Sequence, residues 1–253
     1  MSSSIWTQCA GSSHIRPLRM TAIRVVESQS INATRRLVDS DAEQALLEEL
    51  IDRAKPRLPD DANQSGLHYL LRTPFRSPPL RNGSRFGTRH ERGIFYAARA
   101  VRTALCEVAY YRLVFLQGCS ADLGTLGVEL TAFSAVVRAR RGVDLTAPAF
   151  AEAQSRIRSK TRYGSSQALG RAMREVGVQA FIYSSARDPE AGACLGLFEP
   201  VFAQPRPEIL AAYICHATRE RVELRKKDFF REQRFGFDRS LFEVDGRLPA
   251  PAG

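Results

Sequence analysis

Between Gly93 and Leu116 the apolar pattern changes period, and this constrains the fold more than any other feature of the sequence. Gly93-Ile94-Phe95-Tyr96-Ala97-Ala98 is a compact strand signal, bounded by glycine and rich in aromatic and small apolar residues. From Val101 to about Leu116 the spacing is helical: Val101, Ala104, Leu105, Val108 and Tyr111 fall within roughly 120° of arc at 100° per residue. A strand followed so closely by a helix calls for a sheet with helices packed against it.

The rest of the chain keeps this mixture without settling into regular βαβ alternation. Strand signals recur at Ala22 to Glu27, from Leu123 to Val137 as one or two strands, at Gln179 to Ser184, at Cys194 to Phe198 and within Tyr213 to Leu224. Helical patterns run from the N-capping Asp39-Ser40-Asp41 to about Ala54, from Pro148 to Arg158, and from Ser165 to Val176, where Gly177 ends the last. The stretch from Thr73 to Gly87 is broken by prolines and glycines and carries several arginines, so it reads as a loop. No GxGxxG follows a strand, and GxxxxGK[ST] and GxSxG are absent. The expectation is a single α+β domain.

Its 253 residues are enough to bury most of the unfolded surface without a disulfide or structural metal. No apolar run approaches the ~18 residues of a membrane span. Five cysteines, at 9, 106, 119, 194 and 215, form no CxxC pair; with four dispersed histidines they are poor material for a zinc site or a disulfide framework. A reducing cytoplasm is the simplest compartment. Residues 1–20 are Ser-rich, lack the apolar core of a secretory signal, and are expected to be a disordered extension. Residues 243–253, ending in PAPAG, are expected to be a tail.

Lys and Arg number 37 against 27 Asp and Glu, a net charge of +10. Ten basic and three acidic residues lie between Arg138 and Arg187, so most of the surplus sits there. Such a surface attracts polyanions, phosphate ligands or an acidic partner. Aromatic residues are sparse in that stretch, which argues against a single-strand nucleic-acid platform.

Four residues stand out for chemistry. Arg85 lies between Gly83 and Gly87, where glycines let backbone approach a ligand and a guanidinium offers planar recognition of phosphate or carboxylate; taken alone it is also an ordinary turn arginine. Tyr96 lies on the strand face opposite Phe95. Glu107 sits on the shoulder of the helical apolar face, with small Ala104 and Thr103 leaving space over it; an exposed helix-edge glutamate is the plain alternative. Ser185 ends a strand beside Arg187, and with no triad base in evidence it reads as a hydrogen-bonding ligand and not a nucleophile.

In combination these residues resemble a known family. The run LLRTPFRSPPLRNGSRFGTRHERGIFYAARAVRTALCEVAYYRLVF is similar to the core of the RES domain, named for an Arg, a Glu and a Ser, and similarity extends over about residues 21–242. The motifs are an Arg in a Gly-flanked loop, FYAA on a strand, TAxxE on a helix and a distant YxSxR, which place the family's Arg, Tyr, Glu and Ser on Arg85, Tyr96, Glu107 and Ser185. Cys194 departs from an Asn common in relatives. The resemblance implies a fold like that of mono-ADP-ribosyltransferases, with a split central β-sheet and flanking helices. It implies a toxin that cleaves NAD+ at the nicotinamide–ribose bond, with inorganic phosphate as acceptor and ADP-ribose-1″-phosphate as product. No prosthetic group is implied. Glu107 would stabilise the ribose cation, Tyr96 would stack nicotinamide, Arg85 would grip pyrophosphate or orient phosphate, and Ser185 would bond the nicotinamide amide or a ribose hydroxyl. The implied partner is an antitoxin with an Xre-like helix-turn-helix, in a complex that can include a toxin homodimer. Two alternatives stay open: transfer of ADP-ribose to a macromolecule, and a basic nucleic-acid-binding protein without catalysis.

Overall fold

The computed structural model describes residues 4–28, 40, 42, 43, 46, 47, 49, 50, 66–75, 83–228 and 231–249. Its strands are β1 (Arg16–Glu27), β2 (Phe95–Ala98), β3 (Leu126–Asp144), β4 (Ala180–Ser184), β5 (Ala193–Leu197), β6 (Glu208–Ala217), β7 (Arg221–Lys226) and β8 (Arg234–Asp238). Its helices are α1 (Ile5–Gln8), α2 (Tyr69–Arg72), α3 (Val101–Gly118), α4 (Gln154–Ile157) and α5 (Gly164–Glu175).

Strand β3 is the axis of the sheet. One edge pairs antiparallel with β1, from Leu130 opposite Glu27 to Gly142 opposite Arg16. The other edge is shared: β6 pairs antiparallel over Leu126 to Ser134, and β4 pairs parallel at Gly142 to Asp144. Between those partners Arg138 N donates to Val201 O at 2.9 Å and Ala203 N donates to Val136 O at 2.7 Å. The sheet therefore splits along β3, and residues 201–203 fill the gap. Strands β4, β5 and β2 continue antiparallel, and a single bridge from Ile23 to Ala98 returns the ring to β1. Strands β6, β7 and β8 form an antiparallel wing. This is the expected α+β arrangement of a split mixed sheet with helices.

Both faces of the sheet carry core. Leu130 and Ala132 of β3 pack on the side of α3 and α5, whereas Phe133, Ala135, Val137 and Ala139 pack on the side of Leu71, Phe75 and Phe95. Helix α3 is buried more widely than its expected stripe: Leu105, Ala109, Tyr110 and Leu113 are all inaccessible, and Tyr111 is half-exposed. The pattern from Leu123 to Val137 is one strand, and Tyr213 to Leu224 is a hairpin of β6 and β7. Most of the helix expected from Asp39 to Ala54 lies outside the described residues.

The chain ends depart from expectation. The first residues described are ordered, not a disordered extension: Ser4 caps α1, Ile5 and Trp6 are buried in the main core, and β1 starts at Arg16. Gly11 lies so close under Trp6 that a Cβ there would come within 2.3 Å of the indole. Serine-rich composition hides these two large apolar side chains, and burying an indole contributes roughly 4–6 kcal/mol toward ordering the segment. The C-terminal stretch is likewise not a free tail up to 249. Val244 bridges Arg247, Leu248 is buried, and the Pro249 carbonyl accepts a hydrogen bond from Tyr110. Among the described residues no helix is long and apolar enough to cross a membrane.

Candidate active site

Arg85 sits at the tip of a tight turn. Ser84 N donates to Gly87 O at 2.7 Å, and Gly83 enters the turn at φ +72°, a conformation glycine adopts without Cβ strain. Helix α5 pins the turn from below. Ser166 Oγ donates to Arg85 O at 2.6 Å, Gln167 Nε2 donates to Ser84 O at 3.0 Å, and Phe86 is buried against Phe181 and Tyr183. Gly170 permits this approach, since a Cβ there would stand 1.9 Å from Phe86 O. Of the glycines expected to admit a ligand, Gly83 lies against backbone, where a Cβ would come within 2.4 Å of Gly87 O, and Gly87 lies against the Ile94 side chain. The Arg85 side chain crosses to the 157–163 segment, where Nη1 donates to Ser159 O at 2.7 Å and the guanidinium lies 4.6 Å from the Tyr163 ring centroid.

Tyr96 extends from β2 beneath the same turn. Its hydroxyl accepts from Phe86 N at 3.1 Å and shares a 2.9 Å hydrogen bond with Ser84 Oγ. Burial pushes its pKa up to about 12 against these two bonds, so the phenol is neutral. One residue therefore presents a ring to the cavity and a hydroxyl to the loop that carries Arg85.

Glu107 projects from α3 on the stripe Ala104, Glu107, Val108 and Tyr111, all of which line one cavity. The shoulder position expected from helical spacing is what gives it this aspect. Thr103 points elsewhere and donates to the buried Asp188 at 2.8 Å. Burial raises the Glu107 carboxyl above its usual range, opposed by a hydrogen bond from Ser185 and by the charges of Arg85 and Arg187.

Ser185 does not line the cavity. It is fully buried, and its hydroxyl donates to Glu107 Oε1 at 2.5 Å while accepting from Arg187 N at 3.1 Å and Asp188 N at 2.9 Å. A serine hydroxyl has one proton and two lone pairs, and all are engaged. The geometry thus gives Ser185 the task of holding Glu107, where direct contact with a ligand was expected. Asp188, which closes the same turn, is bound by Arg102 at 2.5 Å. Although burial opposes it, bonds from Arg102 and Thr103 hold the Asp188 carboxyl below its usual range.

Arg85, Tyr96 and Glu107 share this cavity, which measures about 610 Å³. Glu107 is its only carboxylate among the described lining residues, facing Arg24, Arg85 and Arg187. The rings of Tyr96, Tyr111, Tyr163 and Tyr183 complete much of the wall. Sequence reasoning missed Arg24 and the tyrosine at 163. An arginine amid the β-branched residues of β1 was the available signal, and it stays half-buried by donating to Tyr96 O at 2.8 Å. Cys194 lines the cavity from β5, and burial pushes its thiol up, so the position faces the site as a neutral, weakly polar group.

The RES domain model matches residues 57–214, more than half of the chain. The chain belongs to the RES domain family. In this RES domain the matched span holds Arg85, Tyr96, Glu107 and Ser185, together with Arg187, and it excludes Arg24 at one end and Pro249 at the other. Among solved structures, the chain is similar to one described as the crystal structure of the M. tuberculosis MbcT–MbcA toxin–antitoxin complex. That similarity covers 86% of this chain and 94% of that chain, with 13% identity and a TM-score of 0.48. No curated protein matches the sequence.

Proposed function

We propose that this RES domain cleaves the nicotinamide–ribose bond of NAD+ and transfers the ADP-ribosyl group to inorganic phosphate. The observation that carries this reading is that Glu107, the single carboxylate among the described lining residues, shares one cavity with Tyr96 and Arg85. Loss of nicotinamide draws positive charge onto the ribose, and a preorganised carboxylate in a water-poor site favours that state. Tyr96 offers an aromatic face to the pyridine ring. Arg85 supplies planar donors for the diphosphate or for the acceptor. In the step itself a phosphate oxygen bonds to the anomeric carbon, the C–N bond breaks, and its electron pair leaves on neutral nicotinamide. No proton need be removed from hydrogen phosphate.

Family membership supports a toxin role in the cytoplasm with an Xre-like helix-turn-helix antitoxin as partner. Co-expression with the adjacent reading frame, followed by co-purification and relief of growth arrest, tests that pairing. The reaction is tested by incubating purified protein with NAD+, with and without phosphate, and resolving the products by mass spectrometry. ADP-ribose-1″-phosphate formed only with phosphate is expected. Label from NAD+ appearing on macromolecules would move the reading to ADP-ribosyl transfer, and intact NAD+ would end it.

A further inference from the structure

Arg187 is almost wholly buried, at 2% exposure, yet among the described residues it pairs with no carboxylate. Its guanidinium is instead a junction. The two hydrogens of Nη2 are shared among three acceptors, Tyr110 Oη at 2.8 Å, Tyr163 Oη at 2.9 Å and Lys160 O at 3.0 Å, and the group lies 3.7 Å from the Tyr110 ring centroid. Its backbone N–H holds Ser185 Oγ, the group that holds Glu107. Tyr163, bonded by its hydroxyl to Arg187, carries Arg85 stacked on its ring at 4.6 Å. One residue therefore connects the carriers of both Glu107 and Arg85. A buried guanidinium is a costly connector, since its desolvation must be offset by the bonds it makes.

The junction is closed by a segment far away in sequence. Tyr110 Oη accepts from Arg187 and has one proton to give, which goes to Pro249 O. Leu248 beside it is buried, and this segment lies beyond the matched span of the family model.

We infer that Arg187 is a positioning residue that sets Glu107 and Arg85 relative to each other, and that the C-terminal segment, through Pro249 O and Tyr110, is the strap that holds Arg187 in place. The inference rests on the proposed reaction for its kinetic readout, but not for its structural one. Tyr110→Phe removes the shared hydroxyl and keeps the ring. It is expected to lower kcat for nicotinamide release roughly 10- to 100-fold, the usual result of a small misplacement of reacting groups, with KM for NAD+ changed much less. Deleting Leu248–Gly253 is expected to give the same loss, and the two changes together no further loss. Arg187→Lys, which keeps the charge and part of the bonding, is expected to recover more activity than Arg187→Met.

Hydrogen exchange supplies the arm that needs no NAD+. In Tyr110→Phe the amides of Arg187 and Asp188 and those of the 84–87 turn are expected to exchange faster together. If the wild-type protein does not cleave NAD+, the proposed reaction fails and exchange alone decides the positioning role. Folded Tyr110→Phe and truncated proteins with wild-type kcat and wild-type exchange at both places overturn it. A lower melting temperature with both readouts unmoved also overturns it, since that is what a packing role gives.

Discussion

Ser185 Oγ stands 2.5 Å from Glu107 Oε1, across 78 residues of sequence, and donates its one hydroxyl hydrogen to a hydrogen bond with that carboxylate. The serine and the glutamate thus act as one unit, with the serine behind the wall of the cavity. Ser185→Ala removes a donor that favours the charged carboxylate, so the Glu107 pKa rises further. In the proposed reaction Glu107 acts in its ionised form, so the acid limb of kcat/KM is expected to lie above the ordinary Glu value of about 4.3 and to move to higher pH in the variant. A pH–rate profile with an unmoved acid limb would separate Ser185 from Glu107. The variant also leaves two buried N–H groups unpaired, at a cost of about 1–3 kcal/mol each in stability.

Glu107→Gln keeps an acceptor for the Ser185 proton and removes the charge. Nicotinamide release is expected to fall about 10²–10³-fold, the usual loss for one preorganised electrostatic contact. The folded protein should survive. Because native Glu107 holds its proton more tightly than the unfolded chain does, ionisation lowers stability as pH rises from the ordinary Glu value through the raised native one. The glutamine variant lacks that fall, which thermal melts at several pH values can read. Wild-type turnover would remove Glu107 from the mechanism.

Tyr96→Phe separates two tasks of one side chain. The ring remains for stacking, but Phe86 N–H and Ser84 Oγ lose their partner under the Arg85 turn. If the hydroxyl positions Arg85, KM for NAD+ or phosphate rises severalfold while the ring is intact. Steady-state kinetics with both constants unchanged would confine Tyr96 to stacking.

Gly170→Ala inverts a common rule. Alanine in a helix interior is ordinarily favoured over glycine by about 1 kcal/mol. At this position the new methyl would meet the Phe86 carbonyl, so α5 must move off the Arg85 turn. The expected result is net destabilisation of about 1–3 kcal/mol, as for other overpacked sites, with a higher KM. A raised melting temperature would contradict the close packing of helix on turn.

Trp6→Ala tests the N-terminal segment. Emptying a buried indole site is expected to cost about 3–5 kcal/mol. A melting temperature within a degree of wild type would return residues 4–15 to the status of an appendage.

By itself the sequence determined the α+β class, the strand carrying Tyr96, the helix carrying Glu107 on its shoulder, and the Gly177 stop of α5. These depend on period, turn residues and neighbours within a few positions, which a linear pattern records. It also carried the family motifs that place Arg85, Tyr96 and Glu107 in one site. Tertiary structure alone decided that Ser185 stands behind Glu107, that Arg24 enters the cavity from β1, and that the Pro249 carbonyl accepts a hydrogen bond from Tyr110. It also decided that Trp6 and Leu248 belong to the core. Each of these joins residues distant along the chain, and composition gives no sign of which partner will satisfy a hydroxyl or cover an indole. Such partners are chosen only when the split sheet and its helices bring their edges together, because a buried polar group must then find its bond among whatever the fold has placed beside it.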